Sequence, residues 1–246
     1  MITPLTNNHR SWPRKGLLPI INAKPFVDPI ISSHLKAWDR EYQSRGRIWA
    51  GGVKDLPRLP AGSRVLELGS GDGKTLRAMP CDWVKVALDV SPQALQLARR
   101  AGSDATFILA DASRLPLINE IFDAVFAFHV TGHLLAEGRR SLASEAARVL
   151  RPRGRLFFRD FSFDDMRAGR GEMVEAGTYL RKNGILTHFF SEDEAEGVFS
   201  SLMPESVTTH RWSLRVKGEE MQRAEVQAVF QKTRANILNT QKSQGI

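Results

Sequence analysis

The stretch from Val65 to Leu76 has the residue types of a ligand-binding loop. It reads as a buried strand, then Gly69, Gly71 and Gly73 at alternate positions, then the start of a helix. Glycine lets the backbone adopt positive φ angles and approach a bound molecule more closely than a Cβ would permit. A helix beginning near Gly73 would also direct free N–H groups at the ligand. We therefore predict a ligand cradle at this turn.

Two aspartates follow the next two predicted strands. Asp89 ends the apolar run 83–88, about 20 residues after the glycine loop, where a carboxylate can accept both ribose hydroxyls of an adenosine. Asp111 follows the run 106–110, and a turn or N-cap aspartate is its alternative interpretation. Asp89 thus indicates a cofactor of the nucleoside type.

Two histidines follow the fourth predicted strand, Phe122 to Phe128, at the edge where open α/β sheets bind ligands. His129 and His133 have the i,i+4 spacing of a helical metal pair, but no carboxylate or cysteine accompanies them. We expect no metal. His129 is a candidate general base, with structural packing as the alternative.

These residues need a framework of alternating strands and helices, which is the pattern of a doubly wound parallel sheet. A helix over 138–150 is followed by a strand over 155–161, and the runs 206–217 and 223–232 predict an antiparallel pair. The fold class is therefore α/β. Earlier in the chain, helical spacing over 31–45 predicts a helix before the core.

Helix starts are indicated by two serines. Ser91 precedes a proline at the first helical position. Ser191 with Glu194 has the spacing of a capping box.

Composition restricts the class of protein. With 42% hydrophobic and 25% charged residues in a chain of 246, one large globular domain is expected. No apolar run approaches the roughly 20 residues that span a bilayer, and residues 1–10 lack the apolar segment of a secretory signal, so we expect a cytoplasmic protein without a membrane segment. The single Cys81 cannot form an internal disulfide. A net charge of +8 suggests a polyanionic partner, with a solvated surface as the alternative.

The chain is expected to divide into three parts. Residues 1–30 contain five prolines without periodicity and predict an extended basic arm. Residues 31–234 form the domain, with an insert at about 162–190 expected over the active site. Residues 235–246 are predicted to fray.

The glycine spacing fits neither G-x-G-x-x-G nor the P-loop, and together with Glu67 it resembles motif I of the class I S-adenosylmethionine-dependent methyltransferases. The segment Leu150-Arg-Pro-x-Gly154 resembles a second hallmark of that superfamily, with Gly154 closing the preceding helix. The resemblance implies a Rossmann-like seven-stranded sheet and S-adenosyl-L-methionine as cofactor. Lys74 then has no phosphate to hold and is expected on the helix surface. The implied cofactor-binding residues are Glu67, Gly69, Ser70, Gly71, Asp89, Val90, Asp111, Ala112 and Phe128.

Short motifs between residues 36 and 232 are similar to those of the tRNA 3-methylcytidine methyltransferases of the methyltransferase-like group. They are Trp38-Asp39-x-x-Tyr42, Phe158-Arg159-Asp160, Tyr179-Leu-Arg181-x-Asn-Gly184, Phe189-Phe190-Ser-Glu-x-Glu and Arg223-x-x-Val226-Gln227-x-x-Phe230-x-Lys232. The resemblance implies that Trp38 and Tyr42 close over the cofactor. The residues expected to bind substrate are Arg159, Asp160, Arg167, Arg170 and Arg181.

The chain departs from that group at 182–185 and in its basic N-terminal extension, so both substrate and modified base could have changed. The leading hypothesis is methylation of a base in RNA, with tRNA as the partner. One alternative is a methyltransferase acting on a small molecule or protein, and another is a scaffold that binds the cofactor without catalysis.

Overall fold

The computed structural model describes residues 29–46, 53, 55–102 and 104–233. The predicted arm therefore lies outside the described residues except for Pro29 and Ile30, and so does the predicted tail. The helix expected from residue 31 begins two residues earlier, at Pro29.

The described chain forms a seven-stranded sheet and a separate three-stranded sheet, with helices between the strands. The strand order of the large sheet is β3-β2-β1-β4-β5-β10-β9. Strands β1 to β5 are parallel, and β10 runs antiparallel to both of its neighbours, which confirms the predicted fold class and the terminal strand pair. The elements are α1 Pro29–Arg45, β1 Arg64–Leu68, α2 Lys74–Ala78, β2 Val84–Asp89, α3 Pro92–Arg100, β3 Thr106–Leu109, β4 Phe122–Phe128, α4 Ala136–Val149, β5 Leu150–Phe161, β6 Glu172–Glu175, β7 Thr178–Leu180, β8 Leu186–His188, α5 Glu192–Val198, β9 Met203–Val216 and β10 Glu219–Gln231.

The core lies on both faces of the large sheet. Leu66 and Val125 on the central strands have no exposed surface, as expected for parallel strands covered on both sides. One face packs against α4 and α5, where Leu142 and Phe199 join the main cluster. The other face carries a smaller cluster that includes Leu76 of α2. The large sheet, which carries the strand ends discussed below, is therefore packed against helices on both faces.

The predicted turn before β5 is instead an irregular part of that strand. Strand β5 begins at Leu150, directly after α4, and its register with β4 shifts between Phe122 and Ala124. The prediction that Gly154 closes the helix was wrong. A Cβ on Gly154 would lie 2.9 Å from the Arg151 carbonyl oxygen and 3.1 Å from that of Phe122, so close backbone approach explains the glycine.

Serine caps two helices as predicted. Ser91 Oγ accepts from the Ala94 N–H at 3.1 Å at the start of α3. Ser191 Oγ accepts from the Glu194 N–H at 3.1 Å at the start of α5. The Glu194 carboxylate contacts His188 Nε2 at 2.8 Å, and this contact draws it toward the insert.

The insert forms the three-stranded sheet β6-β7-β8, which a buried polar network joins to α4. Arg139 of α4 has Nη1 at 3.3 Å from Thr178 Oγ1 and at 3.5 Å from Glu175 Oε2. Thr178 Oγ1 also contacts His188 Nδ1 at 2.7 Å. Because Arg139, Thr178 and His188 are buried, these polar contacts fix the position of the insert.

Candidate functional site

A cavity of about 670 Å³ opens at the carboxyl edge of the large sheet. One part, which we name the Gly-loop side, is lined by the ends of β1 to β4 and by α1. The other, the hairpin side, is lined by β5 and the β9–β10 pair. The hairpin side consists of Arg159, Phe161, His210, Trp212, Arg223, Glu225 and Gln227.

The glycine loop leaves no room for side chains. Gly69 and Gly71 have φ of 65° and 53°. A Cβ on Gly69 would lie 2.7 Å from Val130 Cγ2, and one on Gly71 would lie 2.6 Å from Tyr42 Oη. Gly73, at φ 80°, precedes the first turn of α2. The backbone therefore forms a cradle that only glycine can build.

Asp89 organises the loop from the end of β2. Its Oδ2 accepts from the Gly71 N–H at 2.8 Å and its Oδ1 from the Ser91 N–H at 2.9 Å. Burial raises the pKa of Asp89, while these N–H groups act against the rise. Each oxygen retains a lone pair that can accept from a ligand.

Glu67 is the most perturbed acid of the Gly-loop side. Burial raises its pKa to about 8; a hydrogen bond from Thr75 lowers it, and the charges of Asp89 and Asp72 raise it further. Its Oε2 is buried without a hydrogen-bond partner among the described residues. A buried carboxylate oxygen facing a cavity in this way is suited to a cationic group.

Asp111 both stabilises the turn after β3 and lines the cavity. Its Oδ1 accepts from both the N–H and the hydroxyl of Ser113 at 2.8 Å, as the turn alternative predicts. The residue also lines the cavity, and so do Val90, Ala112 and Phe128. The structure thus brings all eleven residues expected to bind cofactor, Trp38 and Tyr42 included, to one cavity wall.

Helix α1 reaches the cavity with its aromatic pair. Trp38 and Tyr42 stack with ring centroids 5.8 Å apart, and the Trp38 ring meets that of His133 edge-on at 4.7 Å. Asp39 holds the helix in place, since its Oδ1 accepts from the Ser91 hydroxyl at 2.7 Å. This bond links α1 to the loop that follows Asp89.

On the hairpin side, the side chains come from residues that are paired across the three neighbouring strands β5, β10 and β9. Phe161 lies opposite Glu225, which lies opposite His210. Trp212 lies opposite Arg223 and stacks on His210, with ring centroids 5.5 Å apart. Residues paired across antiparallel strands present their side chains on the same face. The result is an aromatic surface with charged groups among the rings.

His129 stands where the two sides meet. It has φ 55°, and its ring lies 4.6 Å from that of Phe161. Its Nε2 is 3.4 Å from Glu225 Oε2, and its Nδ1 is 3.9 Å from Asp160 Oδ1. Burial raises the pKa of Glu225, but the hydrogen bond and charge of His129 outweigh it and the net pKa is lowered.

The residues expected to bind substrate separate into three groups. Arg159 lines the main cavity, with Cζ 4.7 Å from the centre of the Phe128 ring. Arg167 and Arg181 line a second cavity beside it. Asp160 and Arg170 line neither cavity. Asp160 is fully buried, and its carboxylate accepts from the N–H groups of Gly132 and Phe161. Arg170 is exposed on the insert.

Several cavity residues were not found from the sequence. His210, Trp212 and Glu225 line the hairpin side, and the alternation along β9 and β10 could have placed them on one face. Lys74, expected on the helix surface, is half-buried and lines the cavity. The insert, expected over the site, contributes no residue of 162–190 to the wall of the main cavity.

The family model described as a methyltransferase domain matches residues 66–158, which include the glycine loop, Asp89, Asp111 and β4. This match and the residues that line the cavity support a class I S-adenosylmethionine-dependent methyltransferase. The fold of the chain resembles that of a solved S-adenosylmethionine-dependent methyltransferase from Methanosarcina mazei, with TM-score 0.59, 20% identity and coverage of 71% of this chain and 94% of that one.

Curated relatives of the chain differ in their named substrates. The tRNA N(3)-cytidine methyltransferase METTL2 of Gallus gallus is 26% identical over 60% of this chain and 44% of its own length. The 27-O-demethylrifamycin SV methyltransferase of Amycolatopsis mediterranei is 30% identical over 60% of this chain and 57% of its own length. The chain spans about half the length of these relatives.

The comparisons support S-adenosylmethionine as the cofactor, and the residues of the cavity fit it. The glycine cradle admits close backbone approach, and Glu67 Oε2 offers an unpaired acceptor to the cofactor's ammonium group. Among the described residues, no group of three or more His, Cys, Asp or Glu side chains could hold a metal ion. No helix in the described ranges is long and apolar enough to cross a membrane.

Proposed function

We propose that the protein transfers a methyl group from S-adenosylmethionine to a base in RNA. The cofactor would occupy the Gly-loop side, with its ammonium group against Glu67, its ribose hydroxyls on Asp89 and its adenine beside Asp111. Trp38 and Tyr42 would cover it from α1. The sulfonium of the bound cofactor supplies an activated methyl group, so the protein's task is to align an acceptor and exclude water.

The aromatic surface of the hairpin side carries the RNA assignment. His210 and Trp212 stack on each other, and the guanidinium carbon of Arg223 lies 5.5 Å from the centre of the Trp212 ring. Flat rings and guanidinium planes are the groups on which proteins stack unpaired nucleobases. Phe161 and Arg159 continue this surface toward the Gly-loop side. An extruded base on it would lie beside the cofactor.

A ring nitrogen with an available lone pair needs no general base to accept a methyl group, so the charged groups on the hairpin side would then be free to orient the base. Two further observations support RNA. The named substrate of the chicken relative is also tRNA. The net charge of +8 favours a polyanion.

The experiment is incubation of the protein with methyl-labelled S-adenosylmethionine and separated RNA, protein and metabolite fractions, followed by nucleoside mass spectrometry of the RNA. We expect label in RNA as a single methylated nucleoside. Trp212→Ala should reduce the transfer at least tenfold, since stacking on an aromatic side chain contributes about 1–3 kcal/mol per base. Leu214→Ala, also on β9 and exposed, is the control. Label confined to the metabolite or protein fraction would contradict the proposal.

His129 favours a second candidate function, methylation of a small molecule through a hydroxyl or N–H group. Such an acceptor must lose a proton during transfer, and a histidine beside a carboxylate is a common proton acceptor. His129 lines the cavity between Glu225 and Asp160. The Amycolatopsis relative is named for an O-demethylated compound.

The pH dependence of transfer distinguishes the candidates. With an acceptor that must lose a proton, the rate constant should rise with pH, and His129→Asn should remove this rise and reduce the rate about 100-fold. With a ring nitrogen as acceptor, His129→Asn should reduce the rate without changing the shape of the profile. Single-turnover rates from pH 5 to 9 provide the measurement.

A further inference from the structure

A second cavity of about 280 Å³ adjoins the main one. The two share Trp38, His133 and Phe161 in their walls. The two cavities therefore lie side by side, so that one molecule could contact both. We name this space the arginine cavity, after Arg45 of α1 and Arg167 and Arg181 of the insert.

The charges around the arginine cavity are unbalanced. Glu41 lines it and pairs with Arg45 at 2.6 Å. Arg167 pairs with Asp165, but Asp165 is shared with Arg223. No carboxylate of the described residues lies within ion-pair distance of Arg181. Its pKa is lowered by burial and then by the positive charges of Arg167 and Arg170, and only the charge of Asp165 acts against this.

Arg181 is also held in a fixed orientation. Its Nη1 donates to the carbonyl oxygens of Arg167 at 3.1 Å and Arg170 at 2.9 Å. Among the described residues, its Nη2 and Nε have no hydrogen-bond partner. A guanidinium fixed at one nitrogen retains a planar edge of N–H donors, which matches two oxygens of a phosphate. Little side-chain entropy is then lost when the anion binds.

From this arrangement we infer that the arginine cavity is a phosphate-binding subsite, in which Arg181, with Arg45 and Arg167, holds a phosphate group of the molecule whose acceptor lies in the main cavity. The inference rests on the proposed function, in which that group is an RNA phosphodiester next to the extruded base. A phosphate ester on a small substrate has the same chemistry and would fit the same side chains.

The first test measures RNA binding as a function of salt concentration. Arg181→Gln should weaken binding of tRNA at least tenfold and reduce the slope of log K against log salt by about 1. Arg215→Gln removes the same charge from an exposed position on β9 and should do neither. Equal effects of the two substitutions would show only diffuse attraction and would overturn the inference, while leaving the proposed function intact.

A second variant excludes loss of the insert's structure as the cause. Arg45 lies on α1 and, among the described residues, its side chain hydrogen-bonds only to Glu41, so Arg45→Gln should weaken binding of the same RNA without changing the thermal unfolding of the protein. Arg181→Lys keeps the charge but not the planar edge and should restore the salt slope without restoring full affinity. An Arg45→Gln variant with wild-type affinity would remove α1 from the subsite.

The second test separates failure of the inference from failure of the proposed function. Calorimetric titration with inorganic phosphate at constant ionic strength should show millimolar binding to the wild type and none to Arg181→Gln. If the wild type binds no RNA but this phosphate signal is present, the proposed function fails and the subsite belongs to a small phosphate ester. If neither RNA nor phosphate depends on Arg181, the inference fails.

Discussion

The Gly-loop side and the hairpin side share one cavity but are built in different ways. On the Gly-loop side, backbone atoms and buried acids at consecutive strand ends form the wall, and Glu67 and Asp89 both have raised pKa values because they are buried. On the hairpin side, the groups come from three strands and are paired, and Glu225 has a lowered pKa. The Gly-loop side therefore presents buried acids and close-packed backbone to its ligand, whereas the hairpin side presents aromatic rings and hydrogen-bonded charges.

The largest effect is expected from closing the cradle. Gly69→Ala should abolish measurable S-adenosylmethionine binding, because its Cβ would lie 2.7 Å from Val130 and φ is positive. Gly102→Ala is a matched control, since its φ is +79° with no atom within 4 Å, and it should cost about 1 kcal/mol of stability and leave binding unchanged. Calorimetry with purified variants gives both values. Binding by Gly69→Ala would mean that the Gly-loop side is less rigid than described.

A second large effect is expected from replacing Arg139, which joins the insert to α4. Arg139→Met should lower the free energy of unfolding by about 3 kcal/mol, because it leaves Glu175 and Glu194 beside a buried position without their cation. Arg140→Met, on the same helix but exposed, should change it by less than about 0.5 kcal/mol. Cofactor affinity should stay within twofold in both variants. A large loss of cofactor affinity in Arg139→Met would show that the two regions are coupled.

The third effect is a pH dependence of folding stability, which arises from Glu67 on the Gly-loop side. Folding raises the pKa of Glu67 from 4.5 to about 8, so the folded state holds this proton more tightly and stability decreases as pH rises between those values. Glu67→Gln should therefore stabilise the cofactor-free protein by about 4 kcal/mol at pH 8 and by almost nothing near pH 4. Urea denaturation at both values measures this.

The same substitution should act oppositely on the cofactor. Glu67→Gln removes the acceptor for the ammonium group and should weaken S-adenosylmethionine binding at least tenfold. Below pH 8, wild-type binding should release a proton, detectable as a difference in binding enthalpy between buffers of different ionisation enthalpy. Unchanged affinity in Glu67→Gln would place the ammonium group elsewhere.

Sequence reasoning succeeded where the signal is local. The strand β1, the start of α2, the Ser91 cap and the order of the elements follow from residues next to one another, because burial on both faces and cap chemistry act over a few positions. It failed at Gly154, where the reason for glycine is the carbonyl oxygen of Phe122, more than thirty positions away. The surroundings of Asp160 were likewise not visible in the sequence, since this buried carboxylate accepts from the N–H of Gly132, which is distant along the chain.

The sequence by itself determined the cofactor loop, the sheet and the resemblance to a family, because glycines, strand-end acids and apolar runs carry their own physical meaning. Only the tertiary structure decided what surrounds the acceptor. Phe161, Glu225 and His210 become neighbours through the register of β5, β10 and β9. Arg45 and Arg181 meet at one cavity because α1 and the insert pack at its sides. Such proximity depends on how distant strands and helices pack, which no short segment of sequence encodes.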